Sequence, residues 1–304
     1  MEQTFYSNGK LLITGEYVVL DGAKAFALPT KFGQFLTIRP SEGNCIHWKS
    51  FDQDGSIWFE AILPFESIIR KERFDASHNI KNTLIEILHV AYNMNSDFIK
   101  GSKGYIVTTN LTFPKFWGLG TSSTLINNIA QWLQLDAFEL LRNSFGGSGY
   151  DIACAQTDSA ILYQIVNEKP WVKAIEFEPN FSSQIYFVYL NKKQNSKSAI
   201  ATYLSKRGNV DKTIQRINTL TQRVANSQTI EEFSKALEQH EVEISNVLDL
   251  LTIKEALFPD FDGIIKSLGA WGGDFVMSVS KENPSDYFKS KGFDVVIPYH
   301  EMIL

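Results

Sequence analysis

A glycine loop at residues 113–124 has the residue types of a phosphate-binding site. It reads Phe-Pro-Lys-Phe-Trp-Gly-Leu-Gly-Thr-Ser-Ser-Thr, and apolar residues at helical spacing follow it directly. A loop that opens a helix presents backbone N–H groups where the helix dipole is positive, and glycine lets the backbone approach a phosphate closely. No Lys-Ser or Lys-Thr pair follows the second glycine, so the loop is not a Walker motif. The residues therefore predict an anion site in a different fold.

Three further segments place polar side chains beside glycines. Lys10 follows Gly9 at the start of a predicted strand, Asp151 follows a glycine-rich turn, and the segment 266–274 (Lys-Ser-Leu-Gly-Ala-Trp-Gly-Gly-Asp) leads into another predicted strand. A partly buried carboxylate needs a charged or hydrogen-bonding partner, and in a phosphotransferase it accepts the proton of the substrate hydroxyl. Taken one at a time, the same residues are also typical of a solvated lysine, a helix-capping aspartate and a tight turn.

The elements that must position these residues include both strands and helices. Alternating or β-branched runs predict strands at residues 11–13, 17–20, 35–38, 57–62, 105–109, 159–166, 172–177, 185–190, 275–279 and 295–299. Apolar residues at every third or fourth position predict helices at residues 80–91, 124–135, 136–145, 211–226, 229–251 and 284–291. Asp136 is a predicted N-cap, and Thr229 with Glu232 a predicted capping box. This mixture predicts an α+β protein.

Length and composition limit the classes of protein to which the chain can belong. At 304 residues it is long enough for two domains, and the expected boundary near Pro179 separates residues 1–178 from residues 179–304. A net charge of −5 argues against a broad nucleic-acid surface. Two cysteines without metal or redox spacing, no signal-peptide pattern and no membrane-spanning apolar run favour a cytoplasmic protein without a membrane partner.

The four segments, in this order, resemble the motifs of the GHMP kinases, a family that includes galactokinase, homoserine kinase, mevalonate kinase and phosphomevalonate kinase. Residues 9–17 resemble the first motif, residues 114–123 the phosphate loop P-x-x-x-G-L-G-S-S, and residues 266–274 the third motif. Residues 146–151 resemble the segment that supplies the catalytic aspartate of mevalonate kinase-like members. Gly-Tyr-Asp-Ile-Ala at 149–153 is similar to the signature of a bacterial subgroup of the family. The resemblance extends to about residue 279.

The resemblance implies a two-domain α+β fold, with an N-terminal domain like domain 2 of ribosomal protein S5 and a ferredoxin-like C-terminal domain. It also implies transfer of the γ-phosphoryl group of ATP, with Mg²⁺, to mevalonate or phosphomevalonate. Asp151 would take the proton of the acceptor, and Lys10 would pair with Asp151 or contact the γ-phosphate. Ser122 and Glu139 are the implied Mg²⁺ ligands. The implied phosphate-binding residues are Gly118, Leu119, Gly120, Thr121, Ser122 and Ser123, and those of the third motif are Gly269, Ala270, Gly272 and Gly273.

Several positions depart from the family pattern. Asn8 stands in place of a proline, Thr121 in place of a serine, and Trp271 in place of a glycine. The stretch from Ser122 to Asp151 is shorter than is usual in the family and lacks the helical insertion that carries a magnesium-binding glutamate. A large ring at position 271 is expected to narrow the cleft or to cover the phosphate loop.

Two alternative functions share the same implied fold. One is a lyase like diphosphomevalonate decarboxylase, which usually lacks the Gly-Tyr-Asp arrangement found at residues 149–151. The other is a sensor that binds nucleotide without turnover, which Trp271 would fit. The joint presence of Lys10, Ser122 and Asp151 favours the kinase.

Overall fold

The computed structural model describes residues 1–192, 196–208 and 210–304. The strands are β1 Gln3–Thr14, β2 Ala25–Pro40, β3 Cys45–Phe51, β4 Ile57–Pro64, β5 Tyr105–Leu111, β6 Ala160–Val166, β7 Lys169–Ile175, β8 Ile185–Tyr189, β9 Ile264–Ser267, β10 Phe275–Val279 and β11 Val296–Pro298. The helices are α1 Phe65–Ile69, α2 Asn79–Met94, α3 Asp97–Lys100, α4 Thr121–Leu133, α5 Ala137–Ser144, α6 Tyr150–Ala155, α7 Ser196–Lys206, α8 Asp211–Asn226, α9 Ile230–Leu248, α10 Ile253–Leu257, α11 Ser285–Ser290 and α12 Tyr299–Met302. Short 3₁₀ helices lie at Val18–Asp21, Ala76–His78 and Ser182–Gln184. The predicted α+β class is confirmed.

The chain forms two compact units whose segments alternate along the sequence. The first unit contains Met1–Gly9, Phe32–Lys115 and Leu119–Gln156. The second unit contains Lys10–Lys31, Phe116–Gly118 and Thr157–Leu304. Strands β1 and β2 therefore each begin in one unit and end in the other. The domain boundary expected between residues 178 and 179 stays a prediction.

In the first unit, a sheet supports the helix that follows the glycine loop. The strand order is β4-β3-β5-β2, in which β3 runs parallel to β5 and the other neighbours are antiparallel. Ile46, Trp48 and Val107 are buried on this sheet and share one apolar core with residues of α2, α4 and α5. Because α4 also packs against α5 and α6, its position in the unit is well determined.

In the second unit, strands β11, β8, β10 and β9 form an antiparallel sheet in that order. The first part of β2 pairs with β6, and β6 pairs with β7. Helix α9 packs against both α8 and β9. Phe258, Phe261 and Phe288 fill an apolar core beside β8 and β10. Among the residues described, no helix combines the length and the apolar character that a bilayer crossing requires.

One element prediction around the glycine motifs was wrong. Residues 17–20 were predicted as a strand, but Tyr17 lies in a turn and the next three residues belong to the 3₁₀ helix Val18–Asp21. Their β-branched side chains favour a strand, but Gly15 and Tyr17 have φ of +92° and +62° and turn the chain. The apolar residues after Asp151 form the short helix α6, for which no element was predicted. Helix α9 ends at Leu248 rather than at residue 251, because Asp249 adopts a left-handed conformation.

Candidate functional site

Helix α4, in the first unit, begins at a glycine. Gly120 occupies the N-cap position with φ +102°, a left-handed conformation that glycine adopts without strain. A glycine cap offers no side-chain acceptor to the N–H groups of the first turn, which the helix dipole makes attractive to an anion. The structure starts this helix at Thr121 rather than at residue 124. The hydroxyl residues of the loop therefore lie in its first turn.

The hydroxyl groups of this turn differ in their surroundings. Ser123 is buried, and its Oγ donates to the carbonyl oxygen of Gly120 at 2.9 Å. Thr121 and Ser122 are partly exposed. Leu119 is buried, so it can offer only its backbone to a ligand. The Ser123 hydroxyl thus shapes the loop, whereas Thr121 and Ser122 lie at the surface of the unit.

Asp151 lies in the first turn of α6, also in the first unit. The helix begins after Gly149, which has φ +91° and serves as its N-cap. The carboxylate is partly exposed, and its Oδ1 accepts a hydrogen bond from the backbone N of Ile152 at 3.1 Å. The residues that follow, from Ile152 to Ala155, are all buried. A short helix with one buried face therefore carries the candidate base.

Glu139 lies in the first turn of α5. Asp136 caps this helix, as predicted, because its Oδ1 accepts hydrogen bonds from the backbone N of Phe138 and of Glu139 at 2.8 and 3.1 Å. Glu139 is exposed. In the part of the chain that the structure describes, no three His, Cys, Asp or Glu side chains are grouped closely enough to hold a metal by themselves. The role of Glu139 as a Mg²⁺ ligand stays a prediction.

In the second unit, residues from three distant segments meet at Gly118. The Nζ of Lys10 donates to the carbonyl oxygen of Gly118 at 3.0 Å. Gly118 has φ +69°, and a Cβ atom at this position would overlap the carboxyl group of Asp274. The structure thus joins the first motif, the glycine loop and the last residue of the third motif. The sequence had placed Asp274 at the end of the third motif but not among the site residues.

Residues 116–118 are held by aromatic and backbone contacts of the second unit. The Trp117 ring packs edge-to-face on Phe275, with centroids 5.5 Å apart, and the Tyr189 hydroxyl donates to the carbonyl oxygen of Phe116 at 3.1 Å. The backbone N of Asp274 donates to the carbonyl oxygen of Lys192 at 2.7 Å. Burial and then the charge of Asp274 raise the pKa of the Tyr189 phenol above its ordinary value. These contacts fix Phe116 and Trp117, the two residues before Gly118, within the second unit.

A buried group of charges lies under the first and third motifs in the second unit. The Lys266 ammonium contacts Glu16 Oε1 at 2.5 Å and Glu241 Oε2 at 3.3 Å, and all three side chains are almost fully buried. Burial raises the pKa of Glu16 to about 7, although Lys266 acts to lower it. Burial acts to lower the pKa of Lys266, but Glu16 and Glu241 raise it above its ordinary value. Lys266, the first residue of the third motif, is therefore a buried structural cation.

His240 belongs to the same buried group. Its Nε2 accepts a hydrogen bond from the backbone N of Gly15 at 2.9 Å, so the ring is neutral at this nitrogen. Burial, and then the charge of Lys266, hold the pKa of His240 well below its usual range. In α9 this histidine is buried together with Phe233, Leu237 and Ile244, which lie at helical spacing from it. What the sequence did not reveal is that this histidine holds the turn of the first motif.

The third glycine-rich segment forms the turn between β9 and β10. Gly269, Ala270, Gly272 and Gly273 all lie in it. The backbone N of Trp271 donates to the Tyr17 hydroxyl at 2.8 Å, and its Nε1 donates to the carbonyl oxygen of Leu251 at 3.2 Å. The indole packs against two apolar clusters of the second unit. These contacts give Trp271 the role of an anchor for this turn.

Comparison with solved structures identifies proteins that share this fold. A mevalonate kinase from Methanococcus jannaschii has a TM-score of 0.68 at 14% identity, over 96% of this chain and 95% of that one. A phosphomevalonate kinase from Streptococcus pneumoniae, in complex with phosphomevalonate and AMPPNP, has a TM-score of 0.69 at 14% identity, over 97% and 99% of the two chains. A galactokinase from Lactococcus lactis, complexed with galactose, has a TM-score of 0.67 at 13% identity, over 95% and 88%.

No protein-family model and no curated protein sequence matches the chain significantly. The three kinase structures above align with nearly the whole length of the chain. The chain therefore has the GHMP kinase fold, which confirms the fold that the four glycine-containing segments implied.

Proposed function

We propose that this chain is an ATP-dependent small-molecule kinase that transfers a γ-phosphoryl group to a mevalonate-type acceptor, either mevalonate or phosphomevalonate. The contact of Lys10 and Asp274 with Gly118 carries the proposal. Separate glycine segments with no shared structural task have no reason to converge on one loop residue, whereas a phosphate site needs a cation and a pliable backbone together. The partners that we propose are nucleotide and acceptor, with no nucleic acid and no membrane.

The loop and Lys10 would stabilise the phosphates of ATP. The N–H groups in the first turn of α4 supply dipoles that need no reorganisation during the reaction, which is the most effective form of electrostatic stabilisation. Lys10 adds a full positive charge, and its hydrogen bond to Gly118 at 3.0 Å fixes the ammonium beside the loop. Each of these groups would by itself favour negative charge on a bound phosphate.

Asp151 would accept the proton of the acceptor hydroxyl. Its place in the first turn of a helix with one buried face limits the freedom of its side chain. A carboxylate that is partly exposed can be reached by an acceptor and can release the proton to water afterwards. A base held in this way supplies about 10²- to 10⁴-fold of rate.

The donor atoms present fit a magnesium ion held mainly by the nucleotide. Mg²⁺ prefers hard oxygen ligands and commonly takes only one or two from the protein, with phosphates and water completing its shell. The Ser122 hydroxyl and the Glu139 carboxylate are oxygen donors of this kind, and both reach the surface of the first unit. When bound, the ion would neutralise charge on the β- and γ-phosphates.

The acceptor is the part of the proposal that most needs a direct test. Gly-Tyr-Asp-Ile-Ala at residues 149–153 and Gly-Glu-Tyr at residues 15–17 favour a mevalonate-type acceptor. The galactokinase among the similar structures makes a sugar the main rival. The test is to incubate the purified chain with MgATP and with mevalonate, phosphomevalonate, diphosphomevalonate, homoserine, galactose or a heptose phosphate in turn. ADP formed only with one acceptor, together with its phosphorylated product, supports the kinase. Release of CO₂ would indicate a lyase, and nucleotide binding without turnover would indicate a sensor.

Replacing the candidate base gives the sharpest test of the mechanism. Asp151→Asn keeps the size of the side chain but removes the proton acceptor, so kcat should fall by about 100-fold or more while ATP binding persists. The matched control is Asp97→Asn, an exposed aspartate in the first turn of the short helix α3 of the same unit, and it should keep wild-type kcat. Near-normal turnover of a folded Asp151→Asn variant would remove Asp151 from the mechanism.

A further inference from the structure

A chain of buried amide and hydroxyl groups runs along α4 in the first unit. Ser7, Asn127 and Asn128 are each at most 1% exposed, and all of them are hydrogen-bonded. Buried amides are costly unless their donors and acceptors are paired, so such a network fixes the elements that contribute to it. None of these side chains belongs to the mechanism proposed above.

Asn127 is the member of this network that connects three elements. Its Nδ2 donates to Ser7 Oγ at 2.8 Å and to the carbonyl oxygen of Ala155 at 3.5 Å. Its Oδ1 accepts a hydrogen bond from Gln156 Nε2 at 2.9 Å. The single amide therefore ties α4 to β1 on one side and to the end of α6 on the other.

Asn128, the next residue on α4, makes its contacts in a different direction. Its Oδ1 accepts from Ser7 Oγ at 2.7 Å, and its Nδ2 donates to the carbonyl oxygen of Gln34 at 2.9 Å. These bonds tie α4 to β1 and β2. The two asparagines thus share residue type, helix and burial, but only the side chain of Asn127 is hydrogen-bonded to α6.

Helix α6 needs external contacts to keep its place. It has only six residues and begins at a glycine without a side-chain cap, and a helix of this length is not stable by itself. Asp151 lies one turn before Ala155, about 6 Å along the helix axis at about 1.5 Å per residue. Residues four apart lie on the same helix face. A hydrogen bond that fixes Ala155 and Gln156 therefore also fixes the position of Asp151.

We propose that Asn127 is a positioning residue that holds α6 against α4, so that the Asp151 carboxylate keeps its place relative to the phosphate loop at the start of α4. This inference rests on the proposed kinase function. Asn127 lies in α4, which begins at the end of the loop. Asp151 lies in α6, and Gln156 is the C-cap of that helix. The Asn127 amide thus connects the helix of the candidate base to the helix that follows the phosphate loop. In the proposed mechanism the amide itself contacts neither substrate. A misplacement of about 1 Å can lower a rate by about 100-fold.

Kinetics of three variants test the inference. Asn127→Leu removes all the hydrogen bonds of this amide. Gln156→Met removes only the hydrogen bond to α4, and because Gln156 is exposed, this variant should still fold. Both variants should lower kcat, and Asn127→Leu should lower it by about tenfold or more. Both should leave the KM for ATP within about twofold of the wild type, because neither changes the start of α4. Asn128→Leu is the matched control and should keep kcat within about threefold even though it weakens the fold. A wild-type kcat in both Asn127→Leu and Gln156→Met, or an equal loss in Asn128→Leu, would overturn the inference.

Hydrogen exchange decides the same question without any activity. Backbone amides of residues 147–156 should exchange faster in Asn127→Leu and Gln156→Met than in the wild type, and at the wild-type rate in Asn128→Leu. Unchanged exchange in the first two variants would overturn the inference even if their kcat fell. If the wild-type chain phosphorylates no acceptor, the proposed function fails, and this exchange comparison still shows whether Asn127 holds α6.

Discussion

Gly118 carries two constraints at once. Its φ of +69° is unfavourable for any residue with a side chain, and the carboxyl group of Asp274 occupies the space that a Cβ atom would need. The same residue accepts the hydrogen bond from Lys10 through its carbonyl oxygen. A substitution at this single position should therefore displace the loop, the Lys10 ammonium and Asp274 of the third motif.

Gly118→Ala should raise the KM for ATP by about tenfold, which corresponds to about 1.4 kcal/mol. The cause is the displacement of Asp274 and of the Lys10 ammonium by the added methyl group. Initial rates at varied ATP concentration measure it. The matched control is Gly292→Ala, because Gly292 has φ +88° in the same unit and open space around it.

A double-mutant cycle separates the overlap from backbone strain. The added methyl group should have a smaller effect when Asp274→Ala has already removed the carboxyl group, so the two changes should not be additive. Equal effects of Gly118→Ala in the presence and absence of the Asp274 side chain would contradict this account, as would an increase of similar size in Gly292→Ala.

At the scale of elements, a buried cluster of ionisable side chains joins three elements that lie far apart in the sequence. Lys266 lies on β9, Glu241 on α9, and Glu16 just after β1. Removing the cation leaves two buried carboxylates facing each other, and breaking a buried pair in this way costs about 3 to 5 kcal/mol.

Lys266→Met should therefore lower the free energy of unfolding by several kcal/mol, measured by urea denaturation at pH 7.5. Lys291→Met is the control, because Lys291 contacts Asp260 at 2.9 Å in a surface pair, and such pairs contribute about 0 to 1 kcal/mol. Similar losses in both variants would show that the buried group is not held by Lys266.

The elements also show what the sequence was able to predict. Helix α8, strand β10 and the cap of α5 by Asp136 were predicted correctly, because each depends on local periodicity or on a local hydrogen bond. The strand predicted at residues 17–20 was wrong, because the backbone of Lys24 and Ala25 packs closely against Gly15, where the chain turns. Motif order was enough to single out the glycine loop and Lys10 as candidates, and their roles stay predictions. The contact of Lys266 with Glu16 and that of Asn127 with Ser7 each join residues more than 100 positions apart, and one sequence does not reveal such pairs.

At the scale of the whole molecule, the buried titratable groups should shape how stability depends on pH. The folded chain binds a proton at Glu16 more readily than the unfolded chain does, because burial raises the pKa of Glu16 to about 7. This group alone therefore makes stability fall as the pH rises from about 4.5 to about 7. His240 acts in the opposite sense, since its lowered pKa makes stability fall as the pH drops below about 6.5.

Glu16→Gln should remove the first of these two effects. The difference in unfolding free energy between the wild type and Glu16→Gln should shrink as the pH rises from 5 to 7, by at most about 1.4 kcal/mol per pH unit. Urea denaturation of both proteins at pH 5, 6, 7 and 8 measures this. A difference that stays constant over the range would mean that Glu16 is ionised throughout.

The alternation of segments between the two units has a consequence for the newly made chain on the ribosome. All segments of the first unit have been synthesised once Gln156 has been added. The second unit includes residues 10–31, and the ammonium that Glu16 contacts belongs to a lysine 250 positions later. At a synthesis rate of roughly 5 to 20 residues per second, roughly 12 to 50 s pass between the synthesis of Glu16 and that of its partner lysine. During this time an early part of the nascent chain presents Val18 and Val19, apolar side chains that the finished protein buries, to the chaperones of the cell.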